Sequence, residues 1–137
     1  RLALYASHEY LHDNTAIKAV KDLTQHPFIS YIDDLIEFPQ LKYMQDLLHG
    51  VNIVFRSSSL QAQYQAVLDG IGLALLHGFV AAEDEKLQVI LPKKIFATRE
   101  YWMVVHEDLY QLARIQAVSQ FFTEVIKKEQ SRLMKIN

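Results

Sequence analysis

Apolar positions along this chain fall into two rhythms: short unbroken runs, and longer stretches at helical spacing. Leu2 to Ala6 is a short apolar run and predicts a strand, with Ser7-His8-Glu9 behind it as a helix-start signal. A short helix over Glu9–His12 is stopped by Asp13-Asn14. Thr15 then offers a cap for a second helix, Ala16 to about Gln25, with Ile17, Val20 and Leu23 on one face. His26-Pro27 closes it, because a residue before proline is pushed out of the helical region. Phe28 to Ile32 predicts the next strand, which Asp33-Asp34 ends. Pro39 opens a helix over Gln40–Leu48 that stops at His49-Gly50.

The clearest unit follows. Val51-Asn52-Ile53-Val54-Phe55 is rich in β-branched and aromatic residues, as strands are. Ser57-Ser58-Ser59 supplies N-caps, and Leu60 to Asp69 carries helical spacing through Leu60, Tyr64, Val67 and Leu68, with Gly70 as its stop. Ile71 to Leu76 is a fully apolar strand with Gly72 inside it. A strand–helix–strand unit with continuous apolar strands predicts a parallel sheet covered on both faces. Beyond it, His77-Gly78 turns the chain into a short segment ending at Glu83-Asp84-Glu85. Leu87–Leu91 and Phe96–His106 read as strands, with Tyr101-Trp102-Met103-Val104-Val105 as the apolar centre of the second and Trp102 as a core residue. A last helix, Leu112 to about Lys128, carries a stripe of Ile115, Val118, Phe121, Phe122, Val125 and Ile126. The tail Gln130–Asn137 is polar and expected to fray.

Composition narrows the function classes. The 137 residues are half hydrophobic and about a fifth charged, which suits one globular α/β domain with a proper core. Net charge is −2 with signs interspersed, so no basic field exists for holding nucleic-acid backbone directly. The absence of cysteine excludes disulfides and thiolate metal sites. No apolar run reaches the roughly 18 residues of a membrane span, so no membrane partner is expected. The chain opens at Arg1 already in a strand and without an initiator methionine, as a piece of a longer protein would.

Several short motifs could carry chemistry. His8-Glu9-Tyr10-Leu11-His12 matches the H-E-x-x-H string in which two histidines one helical turn apart hold zinc and the glutamate is the general base. The setting argues against it: Asp13-Asn14 breaks the helix at once, and Asp33, Asp34 and Glu37 are merely acids downstream. No metal and no cofactor are assigned. Gly70-Ile71-Gly72 runs from helix into strand, the reverse of a dinucleotide loop, and reads as a helix stop followed by close packing. Arg56-Ser57-Ser58-Ser59 lies at a strand-to-helix turn, where unpaired N–H groups and hydroxyls suit an anion; simple capping, which needs one serine of the three, is the alternative. His77-Gly78-Phe79 ends the next strand on the same sheet edge as Ser57, as an aromatic wall with a donor or as an ordinary turn. No nucleophile–histidine–acid order is recognisable, so no catalysis is assigned.

Taken together these segments resemble the effector domain of the LysR-type transcription regulators. Leu2-Ala3-Leu4-Tyr5-Ala6-Ser7, Tyr10-Leu11, and Asp22-Leu23 with His26-Pro27 resemble its hinge strand and following helices. Phe55-Arg56-Ser57-Ser58-Ser59-Leu60, Ala66-Val67, Gly70-Ile71-Gly72 and Ala74-Leu75-Leu76 are similar to its strand, helix, glycine turn and apolar strand. Leu87, Val89-Ile90-Leu91-Pro92 and Tyr101-Trp102-Met103-Val104-Val105-His106 resemble its return across the hinge. The likeness reaches about Ile126. His77 stands where the family usually carries proline.

The resemblance implies an α/β, type II periplasmic-binding-protein-like fold: one complete lobe with a parallel-rich sheet over residues 8–100, and the hinge strands and C-terminal helix of the other lobe in residues 1–7 and 101–137. It implies a cytoplasmic sensor in which two lobes clamp a small anionic metabolite, with Ser57, Ser58, Ser7, His77 and Phe79 as effector-binding residues. It also implies a homo-oligomer that meets DNA only through an N-terminal helix-turn-helix outside these residues. The rival from another class is a transporter's periplasmic solute-binding protein, which shares the architecture. Without the opening strands of the first lobe, the stripe on the last helix is expected to dock on another copy, fold over the second lobe or move freely.

Overall fold

The computed structural model describes residues 1–32, 50–98 and 100–136. Among the described residues six strands form one sheet: β1 (Leu2–Ser7), β2 (Pro27–Ser30), β3 (Asn52–Arg56), β4 (Leu73–His77), β5 (Leu87–Ile90) and β6 (Phe96–Ala97). The order is β3-β2-β4-β1-β5, with β6 also pairing β1. β2 is parallel to β3 and β4, whereas β1 is antiparallel to β4, β5 and β6. Among the described strands, β1 alone therefore runs against the rest. Its six residues are all buried, as an unbroken apolar run covered on both faces requires. One face packs Leu2, Leu4 and Ala6 with Phe28, Leu73 and Ile95. The other packs Ala3 and Tyr5 with Ile29, Ala66, Val67 and Leu76. β3 lies at one end of this order, and of its five residues Ile53 is half-buried and the others exposed.

Helix α1 (His8–Asp13) follows β1 because the Ser7 hydroxyl accepts from the Tyr10 N–H at 3.2 Å. It stops at Asn14, whose side-chain amide donates to the Tyr10 carbonyl at 2.8 Å. Helix α2 (Leu60–Leu68) ends as expected at Gly70, which has φ +71°. There the Gly70 and Ile71 N–H groups return to the Val67 and Ala66 carbonyls at 3.1 and 3.0 Å, the pairing of a Schellman stop. The Tyr64 hydroxyl donates to the Asp84 carboxylate, tying α2 to the turn before β5. That bond and the Lys86 N–H hold the Asp84 carboxyl below the usual carboxylate range. Short α3 (Gly78–Ala81) lies between β4 and that turn.

Four expectations need correction. The helix from Ala16 to Gln25 is only a 3-10 turn, Val20–Gln25. The Asp22 carboxylate takes the Lys18 and Ala19 N–H groups at 2.9 and 2.8 Å, holding the segment before it out of a helix. The strand Phe96–His106 shrinks to β6, and Trp102 is 82% exposed instead of core. A strand is stabilised by its neighbours, and none of the described strands pairs with residues 101–106. The tail does not fray up to Ile136: α6 (Gln130–Leu133) is helical, and Ile136 packs on the second core cluster. β3 is mostly exposed, so among the described residues nothing covers the sheet on both faces at that edge. The helix expected over Gln40–Leu48 lies outside the described residues.

After residue 100 the chain leaves the sheet. Residues 101–106 have no regular structure and are followed by α4 (Glu107–Tyr110) and α5 (Ala113–Lys128). No residue of α5 is buried, and Phe121 is 61% exposed. At about 1.5–3 kcal/mol per large side chain, covering that stripe is worth on the order of 10 kcal/mol, comparable to a domain's whole net stability.

Two substitutions test the packing. A Cβ on Gly72 would collide with the Pro27 carbonyl oxygen where β4 starts beside β2. Gly72→Ala is expected to cost about 1–3 kcal/mol in urea unfolding; an unchanged midpoint would refute the close approach. His26 is buried, with the Tyr10 hydroxyl 2.7 Å from Nδ1 and Thr15 Oγ1 3.4 Å from Nε2. Burial pushes its pKa below the ordinary histidine value, and the Asp22 carboxylate opposes this only in part. A lowered folded pKa favours the neutral ring, so this stabilisation is complete above about pH 6.5 and is lost as pH falls. The stability loss between pH 7 and pH 5 is therefore expected to shrink in His26→Gln; an identical pH slope would contradict this.

Candidate functional site

The parallel triplet β3-β2-β4 delivers two strand ends to one edge of the sheet. Phe55 and Ala74 both lie opposite Ile29, and Arg56 lies opposite Ser30. The Ser57 N–H extends this ladder by donating to the Ser30 carbonyl at 3.0 Å. Ser57 and Leu76 are each two residues beyond the Ile29 level, so Ser57 and His77 emerge at the same edge. With β2 between them, β3 and β4 are roughly 10 Å apart. The chain then turns back into helices at both places, α2 after the serines and α3 after His77.

At the first turn the serines divide their work. Ser59 is the N-cap of α2 and accepts from the Ala62 N–H at 3.3 Å. The Ser57 hydroxyl accepts from the Ser59 N–H at 3.1 Å. Ser58 is exposed and makes no hydrogen bond among the described residues. Capping therefore engages two serines and leaves the third hydroxyl to solvent at a helix N-terminus. The buried Gln63 amide donates to the Ser57 carbonyl at 2.6 Å and pins the turn from below. Sequence reading missed Gln63; the signal was a polar residue between Leu60, Tyr64 and Val67 on the packed face of α2.

At the second turn His77 is 5% exposed and Phe79 half-buried, with ring centroids 5.2 Å apart. The Tyr101 ring centroid lies 6.4 Å from that of His77. Tyr101, expected in the middle of a strand, instead joins this aromatic group. Ser7 is not brought to the same place. Leu2 pairs with His77, and Ser7 lies five residues further along β1, about 17 Å away at the opposite edge. It is 2% exposed and its hydroxyl serves α1. Four of the five candidates thus share an edge.

Residues 1–127 match the family model described as the LysR substrate binding domain. The chain belongs to this family. Among solved structures, this LysR substrate-binding domain is similar to the regulatory domain of CrgA, a LysR-type transcriptional regulator from Neisseria meningitidis. Identity is 19% and the TM-score 0.70, over 90% of this chain and 63% of that one. It is also similar to the regulatory domain of AphB in Vibrio vulnificus, at 22% identity and TM-score 0.51, over 66% of this chain and 47% of that one. The LysR chain thus spans about half to two-thirds of these relatives' length. No curated protein matches significantly. Identities this low show the fold alone, and that fold is periplasmic-binding-protein-like α/β.

His77 has φ −68° and ψ 130°. Those are angles proline itself adopts, so proline at this position would fit the same backbone path. A separate groove lined by Tyr64, Val80, Glu83, Asp84, Glu85 and Lys86 contains none of the four edge residues. No described helix is long and apolar enough to cross a membrane.

His8 and His12 lie on α1, which is over by Asp13. His12 Nδ1 is 2.8 Å from the Asp13 carboxylate. Among the described residues no three His, Cys, Asp or Glu side chains converge as metal ligands; Asp33, Asp34 and Glu37 lie outside them. The purified LysR domain is expected to carry no stoichiometric zinc by elemental analysis. One equivalent of zinc that disappears in His8→Ala, together with peptidase activity, would overturn that.

Proposed function

We propose that this chain is the effector-sensing part of a LysR-type transcription regulator, a binding module with no catalytic role. The carrying observation is the arrival of Ser57, Ser58, His77 and Phe79 at one sheet edge, where strand ends meet a helix N-terminus. In open α/β sheets that edge is where ligands bind. The donors there are a serine hydroxyl and helix N–H groups, both suited to a small anion. His77 and Phe79 supply an aromatic wall for the metabolite's apolar part. The similar solved structures are regulatory domains, which favours sensing over the transport role that the same architecture also serves.

In this reading residues 8–100 form the second lobe, with residues 1–7 threading its sheet, residues 101–128 belong to the first lobe, and the segment from Glu129 returns to the second. The uncovered stripe on α5 and the uncovered Trp102 suit burial against more of that lobe or against a second copy in a homo-oligomer. DNA contact falls to an N-terminal helix-turn-helix, and the protein works in the cytoplasm. Effector binding acts by favouring one lobe arrangement over another, which needs different affinities for the two.

The test is a thermal-shift screen against small carboxylates and phosphates, followed by calorimetry on the strongest binder. Losing one hydrogen bond to a charged group costs about 1.5–3 kcal/mol, so Ser57→Ala and Ser58→Ala are each expected to weaken binding about 10- to 100-fold. Ser58→Ala is the cleaner variant, since no fold contact depends on its hydroxyl. Unchanged affinity in both single variants and in the double variant would overturn the assignment.

A further inference from the structure

The family match ends at residue 127, yet the chain beyond it packs back on the sheet domain. Helix α6 packs against α3, and Arg132 pairs with Glu83 at 2.9 Å in the turn after α3. The Arg1 backbone nitrogen donates to the Leu133 carbonyl at 3.2 Å, and Ile136 packs on the core cluster of Ala3, Tyr5 and Leu76. Between these anchors the Lys135 backbone crosses Gly78 so closely that a Cβ there would collide with the Lys135 carbonyl oxygen. Gly78 has no positive φ, so its backbone would accept any residue. Its lack of a side chain matters only for the segment lying on it.

We infer that residues 129–136 are a C-terminal latch seated on the His77-Gly78-Phe79 turn, holding that turn of the sheet edge in place. The geometry joins three things at one residue. Gly78 links the two aromatic candidates, its N–H donates to the Arg1 carbonyl at 2.9 Å, and Lys135 covers its open side. Seating of the latch therefore closes the open side of a turn that β1 holds from the other. Its anchors are a half-exposed ion pair, one half-buried isoleucine and single backbone bonds, a set that opens locally without unfolding the sheet. The consequence for effector binding, that release of the latch loosens one wall of the site, rests on the function proposed above; the latch itself does not.

Hydrogen exchange and limited trypsin digestion of the full chain test the latch with no effector present. Ile136→Asp puts a charge against the apolar cluster and Gly78→Ala puts a methyl against Lys135, while Glu83→Ala removes the ion pair. In the first two variants, cleavage after Arg132, identified by mass spectrometry, is expected to accelerate about 10-fold or more. Amide exchange over residues 79–82 should rise with it, while residues 73–76 of β4 stay protected. Glu83→Ala should give a smaller change in the same direction. Combining Ile136→Asp with Gly78→Ala should add nothing, because both empty the same seat. Unchanged cleavage in both Ile136→Asp and Gly78→Ala overturns the latch, as does exchange rising equally across β4. These readouts can fail while Ser58→Ala still weakens effector binding, and the reverse also holds, so the two proposals stand or fall separately.

Discussion

A single reversed strand, β1, governs the geometry of the whole lobe. It is buried over its full length, hydrogen-bonded to β4 on one side and to β5 and β6 on the other. Because side chains alternate between faces, slipping β1 by one residue would exchange Leu2, Leu4 and Ala6 with Ala3, Tyr5 and Ser7 between two differently shaped clusters. The register is therefore fixed by packing on both faces at once. Its direction then decides what meets what: the start of β1 lies beside His77, and its end lies beside Leu87 and the start of α1. Chemistry at the first edge cannot reach the second.

The same packing logic fixes how the serine turn leaves the sheet. β2 is pinned between β3 and β4, and the Ser57 N–H continues its ladder, so the turn leaves the sheet in a fixed direction. Gln63 holds the Ser57 carbonyl, and Ser59 caps the helix. The remaining donors at this N-terminus are oriented before any ligand arrives, which lowers the ordering cost of binding.

What the sequence disclosed, and what it hid, follows the range of the forces involved. The unit from β3 to β4 was legible because its signals are local: β-branched runs, serine caps, a glycine that φ +71° requires. So was the shared edge of Ser57 and His77, since a parallel crossover leaves little choice. The segment before β2 was misread because one carboxylate, Asp22, outbid helical spacing for two N–H groups. Trp102 was misread because an apolar run states a need for burial without naming the surface that meets it. Ser7 was grouped with the ligand residues by resemblance, yet only the antiparallel pairing of β1 reveals that it faces the far edge. The docked tail had no local signal at all; its seat depends on Gly78, more than fifty residues earlier, being bare.

The central claim is that the edge shared by β3 and β4 is the sensing edge, and an amide NMR titration with small carboxylates and phosphates tests it most directly. One saturable set of shifts is expected to link residues 57–60 at the start of α2 with residues 76–79 at the end of β4. Saturable shifts confined to residues 7–12 at the opposite edge, with those two turns unmoved, would contradict it.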